Sequence, residues 1–171
     1  MTKAFLPHFR ENKEVLFINI SSVGGKIPLP YLCLYHSTKW AVEGFTESLG
    51  FELSHLGIKA KIVELGEVAT DFAGRSLDMT SPETIEDYNE SFAAFQETIS
   101  STMQPSEPIV ISKVIYEAPT DGKDQLRYVA GETGCTHVTP NEIGFTNEFA
   151  AYDDSFMPSL RKLAKPRKVS S

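Results

Sequence analysis

The sequence is poor in the features that would commit it to a membrane, a disulfide scaffold or nucleic acid. None of its apolar runs approaches the roughly 20 residues needed to cross a bilayer, and residues 1 to 20 carry too many charges to read as a signal peptide. A cytoplasmic protein is the expectation. The two cysteines, Cys33 and Cys135, are too few for a disulfide framework and lack spaced partners for a metal, so free thiols and no metal site are expected. Positive charge is also scarce. With 16 Lys and Arg against 23 Asp and Glu, the net charge of −7 argues against general nucleic-acid binding. What remains is ordinary for a globular domain: 171 residues, 41% hydrophobic and 23% charged, enough for one core.

Periodicity supplies the elements. Ala4, Phe5, Leu6 and Phe9 recur at helical spacing, although Pro7 belongs near a helix start rather than an interior. Val15-Leu16-Phe17-Ile18-Asn19-Ile20 is nearly continuous apolar sequence, the pattern of a strand buried on both faces of a parallel sheet. A loop with Gly24, Gly25, Pro28 and Pro30 leads to a helix from about Leu34 to His55, along which Tyr35, Val42, Phe45, Leu49 and Leu53 recur every three to four residues. Gly57 is placed to end it, and Ile58 to Glu64 reads as a second strand. Strand, long helix and strand in that order form a right-handed crossover unit. Thr80-Ser81-Pro82-Glu83 is a helix start for a helix to about Met103. Pro108 to Ala118 suggests another helix and Gln125 to Ala130 a last strand.

The chemistry concentrates in three side chains. Tyr35 and Lys39 stand four apart on the predicted helix and share a face, and Ser22 lies at the end of the preceding strand. A phenol ordinarily ionises near pH 10, too high for efficient proton transfer, and a neighbouring cation favours its ionised form. Lys39 is placed to supply that charge, and a serine hydroxyl can hydrogen-bond the same reacting oxygen. Ser21 competes with Ser22 for that part.

Asn19-Ile20-Ser21-Ser22-Val23-Gly24-Gly25 followed by Tyr35-His36-Ser37-Thr38-Lys39 resembles the active-site region of short-chain dehydrogenase/reductases. The resemblance selects Ser22 and implies an NAD- or NADP-dependent oxidoreductase acting on a small-molecule carbonyl or alcohol. Tyr35 would exchange a proton with the substrate oxygen while nicotinamide carries hydride. Ser22 would hold that oxygen, and Tyr35 and Lys39 would contact the cofactor, Lys39 at its ribose. Leu65-Gly66-Glu67-Val68-Ala69-Thr70 resembles the family's Pro-Gly-x-Val-x-Thr segment with leucine in place of the proline. Gly66, Val68 and Thr70 are carried over as cofactor-binding positions. The family also implies a lid over the substrate from residues 80–103 and a subunit interface on the Tyr35 helix, hence a homo-oligomer or self-association, with no nucleic-acid or membrane partner.

None of the 11 glycines falls into a Gly-x-x-x-Gly-x-Gly or Gly-x-Gly-x-x-Gly arrangement, the turn that receives a pyrophosphate. The resemblance covers residues 1 to 131 and maps onto the C-terminal half of the family's usual chain. The expected fold is therefore α/β, a partial Rossmann-like doubly wound parallel sheet lacking the N-terminal dinucleotide-binding half. Its domain spans residues 1–134, and 135–171 form an extension with a basic tail. A chain so read is N-terminally truncated, binds cofactor weakly and is expected to be inactive alone. Two alternatives stand beside it, a degenerate non-catalytic interaction or dimerisation module and an unrelated enzyme using Ser-Tyr-Lys without a cofactor.

Overall fold

A computed structural model of the chain describes residues 2–13, 15–76 and 85–132. Its strands are β1 (Leu16–Ser22), β2 (Lys59–Leu65) and β3 (Arg127–Ala130), and its helices are α1 (Thr2–Asn12), α2 (Cys33–Ser54), α3 (Asn89–Thr102) and α4 (Pro108–Thr120). All strands are parallel in the order β1-β2-β3, with Ser22 opposite Leu65 and Leu65 opposite Ala130. The carboxyl ends of the strands are thus level. In open α/β sheets that edge is where ligands bind.

Burial follows from strand position. Central β2 is enclosed from Lys61 to Glu64 because helices cover both of its faces. On one face Val63 joins Ile111 and Ala118 of α4 with Tyr128 and Ala130 of β3. On the other, Phe17 of β1 and Ile58 meet Leu49 and Leu53 of α2, with Leu6 and Phe9 of α1 packed against them. The burial on both faces expected of β1 is thus met by β2, and fails for β1. As one of the two edge strands among the described residues, β1 leaves Ile20 40% exposed. A second departure is Pro7, which lies inside α1. It forfeits one backbone donor, while the helix is held to the sheet by the Phe9 ring packing at a tilt against Phe17, 4.6 Å between centroids.

The predicted lid helix is described from residue 86, as a 3-10 turn Glu86–Tyr88 running into α3. Its predicted start at residues 80–83, the basic end 161–168 and Cys135 lie outside the described residues. Cys33 is a free, exposed thiol. Among the described residues no helix is long and apolar enough to cross a membrane.

A buried lysine ties β2 to α4. Lys61 Nζ donates to the Ala118 carbonyl at 2.6 Å, the Lys123 carbonyl at 2.9 Å and the Tyr128 hydroxyl at 2.8 Å, and lies 3.5 Å from Asp121 Oδ1. Against the cost of burial, hydrogen bonds from Lys123 and Tyr128 and the charge of Lys61 hold the Asp121 carboxyl down to about 2. Lys61→Met would leave carbonyls and a phenol buried without their donor, and is expected to cost roughly 2–4 kcal/mol in urea unfolding. A loss below about 0.5 kcal/mol would show that the staple is not structural.

Candidate active site

Ser22 ends β1 in extended backbone and caps the 3-10 turn Val23–Gly25, its Oγ accepting from the Gly24 N–H at 3.1 Å. With a lone pair so engaged, its O–H is left to donate elsewhere. Neighbouring Ser21 is enclosed, 1% exposed, with no hydrogen-bond partner for Oγ among the described residues. Strand alternation accounts for the difference, since successive side chains point to opposite faces.

Tyr35 and Lys39 occupy the first turns of α2, both half-buried. Lys39 Nζ stands 5.8 Å from the centroid of the Tyr35 ring, within cation–π range. Burial pulls the Lys39 ammonium below its ordinary value, a shift opposed by the charge of Glu43 one turn on. The Tyr35 ring lies between the Gly24 turn and Phe72, whose ring centroid is 6.3 Å away. A Cβ on Gly24 would sit 2.9 Å from Tyr35 Cε1 and 3.2 Å from His36 Nδ1. Glycine is thus required there by close approach. Gly24→Ala is expected to push the Tyr35 ring aside, seen as shifts of its ring resonances while those of Tyr116 on α4 stay put. Unmoved Tyr35 signals would contradict that packing.

The structure therefore brings Tyr35 and Lys39 together and sets Tyr35 against the turn that Ser22 caps. Among the described residues no hydrogen bond links the three to one another. Gly66, Val68 and Thr70 follow β2 at the same edge of the sheet. The Gly66 N–H donates to the Ala130 carbonyl at 2.7 Å, Val68 bridges Ser106, and the Thr70 N–H donates to the Val68 carbonyl at 2.7 Å. The backbone donors of Gly66 and Thr70 are thus spent inside the protein, and Thr70, exposed, offers its hydroxyl.

Sequence reasoning missed a second cluster directly behind the turn. Glu64, fully buried, and Glu43, 4% exposed, approach Arg127, whose Nε lies 3.3 Å from an oxygen of each. Arg127 Nη2 also reaches Glu47 at 2.7 Å. Burial first, then the charge of Glu43 and a hydrogen bond with it, push the Glu64 carboxyl up to about 7, against the pull of Lys26 and Arg127. As carboxylates, Glu43 and Glu64 together hold three buried oxygens without a donor. A proton on Glu64 supplies one. The only sequence signal was a glutamate interrupting the apolar run of β2. Among the described residues no cluster of potential ligands suits a metal ion.

The family model described as short chain dehydrogenase matches residues 1–81. An uncharacterized oxidoreductase of Schizosaccharomyces pombe is 37% identical over 130 residues, covering 76% of this chain and 54% of that protein. A short-chain dehydrogenase from Streptomyces avermitilis shares the fold at a TM-score of 0.61 with 30% identity, over 76% of this chain and 47% of that one. A Burkholderia cenocepacia short chain dehydrogenase, solved in complex with NADP, superposes at a TM-score of 0.57 with 17% identity, over 78% of this chain and 45% of that one. The chain spans about half the length of the curated relatives it matches. By sequence and by fold, it belongs to the short-chain dehydrogenase/reductase family.

Proposed function

We propose that the chain carries the proton-transfer site of an oxidoreductase that interconverts a small-molecule alcohol and carbonyl with a nicotinamide cofactor. The observation that supports this most is the meeting of Tyr35 and Lys39 beside the Ser22-capped turn, at the carboxyl edge of a parallel sheet. When bound, the nicotinamide supplies or accepts hydride. Tyr35 gives or takes the proton at the substrate oxygen. Ser22, its lone pair already engaged by Gly24, donates to that oxygen and so stabilises the charge that develops there. Lys39 and the Thr70 hydroxyl are the groups assigned to hold the nicotinamide–ribose end.

The residues fit that end of the cofactor. A half-buried ammonium and a half-buried phenol stand together beside a turn where only glycine leaves room for the Tyr35 ring. The pyrophosphate end has no glycine-rich turn among these 171 residues, so affinity of this polypeptide for NAD or NADP is expected to be weak. Exposed apolar side chains on α2, Leu34 at 80% and Phe51 at 77%, support self-association of the same polypeptide.

The test is transfer of deuterium from a reduced cofactor, deuterated on the nicotinamide ring, to the carbonyl carbon of a panel of ketones and aldehydes at millimolar cofactor. At that cofactor concentration, where weak binding no longer limits occupancy, deuterated alcohol in the wild type is expected in place of the inactivity that the sequence suggested, with its loss on replacing Tyr35. Transfer that survives unchanged without Tyr35 would overturn the assignment.

A further inference from the structure

Beside Tyr35, His36 is buried and both of its ring nitrogens are engaged. Nε2 accepts from the Leu29 N–H at 2.7 Å, and Nδ1 lies 2.7 Å from the Gly24 carbonyl. A backbone N–H can only donate and a carbonyl can only accept. The ring must therefore be neutral and carry its proton on Nδ1. An Nε2–H ring or an imidazolium would set two donors against each other at Leu29.

Each partner leads somewhere useful. Gly24 belongs to the turn that Ser22 caps, and the Tyr35 ring fills the space that a side chain on it would take. Leu29 stands between Pro28 and Pro30, neither of which has an N–H, so its donor is the one that this stretch can offer. The Leu29 side chain packs with Phe92 and Ile99 around buried Phe95 of α3. Tyr31 adds ring contacts to Phe92 at 5.1 Å and Phe95 at 5.2 Å and a hydrogen bond to Ser91. Tyr31 holds a φ of 64°, a conformation unfavourable for an aromatic residue. Those contacts with α3 are what offset it.

We infer that His36 is a positioning residue that couples the seating of α3 to the turn carrying Ser22, through the path Phe95, Leu29, His36 and Gly24. The functional meaning of that coupling rests on the oxidoreductase reading: a substrate that reseats α3 would adjust the hydroxyl facing its own reacting oxygen. The geometry of the coupling does not depend on that reading.

Two measurements test it without turnover or cofactor. Nitrogen-edited spectra of the wild type near neutral pH are expected to show His36 as a neutral ring protonated on Nδ1. An Nε2–H ring or an imidazolium would overturn the inference. Phe95→Ala is then expected to shift the backbone amides of Ser22 and Gly24 in the wild type, and a His36→Ala background is expected to cut those shifts to less than about half. Where His36→Ala does not fold, His36→Asn serves in the same cycle. Shifts of equal size in both backgrounds, or no shift at Ser22 and Gly24 in the wild type, would overturn it. Because neither measurement reads hydride transfer, an inactive chain would leave the His36 inference standing, and an uncoupled His36 would leave the Tyr35 assignment standing.

Discussion

Tyr35→Phe is expected to lower kcat for nicotinamide-dependent alcohol–carbonyl interconversion by about 100- to 10,000-fold, the range that a positioned acid–base group contributes. The ring, its contact with the Gly24 turn and its face beneath Lys39 all survive the substitution, because only the hydroxyl is removed. KM should therefore change far less than kcat, the signature of an interaction made in the transition state. Unfolding stability should hold within about 1 kcal/mol, since Tyr35 is half-buried rather than sealed in the core. A loss of activity accompanied by a large fall in stability would assign Tyr35 to packing.

Glu64→Gln is expected to stabilise the protein at pH 8 by about 1–3 kcal/mol, an unusual sign for a fully buried position. The direction follows from linkage. In the folded state the Glu64 carboxyl is raised from an ordinary 4.5 to about 7, so between those values the folded protein binds a proton that the unfolded chain does not. Stability from this group therefore falls as pH rises through that window, and above it the folded state carries the full cost of a buried carboxylate. Glutamine keeps the shape and brings its own donor for Glu43, while Arg127 retains Glu43 and Glu47 as partners. Urea unfolding across about pH 4 to 9 should show a downward slope in the wild type and a flatter profile in the variant. A variant less stable than the wild type at pH 8 would mean that the Glu64 carboxylate is fully compensated by its partners in the folded protein.

The contrast between Tyr35 and Glu64 explains what could be read from the sequence. Local pattern sufficed for the crossover. The apolar run of β1, the three-to-four-residue repeat of α2 and Gly57 after it predicted elements within one or two residues of Leu16–Ser22, Cys33–Ser54 and Lys59–Leu65. Gly57 takes a φ of 75°, as a helix-ending glycine should. Tyr35 and Lys39 were legible because their proximity is set by helical spacing alone. Lys61, Glu64 and His36 were not. Lys61 meets the carbonyl of Ala118, 57 residues away, and Arg127 reaches back 84 residues to Glu43. No periodicity within a window reports such pairings, and a lone charge in an apolar strand reads equally well as a strand end. Ile20 failed for the converse reason: its apolar neighbours suggest burial, but exposure depends on whether β1 is central or at the edge.

Titrating isotope-labelled protein with nicotinamide mononucleotide to millimolar concentration, with every backbone amide followed, tests the site most directly because it needs neither turnover nor tight binding. Shifts should concentrate on Ser22, Gly24, Tyr35, Lys39 and residues 66–70, and they should shrink in a Lys39→Ala variant. Shifts that instead gather at the opposite end of α2, around the recess lined by Arg10, Lys13 and His55, or that leave Tyr35 and Lys39 unmoved, would contradict a nicotinamide site at the carboxyl edge of the sheet.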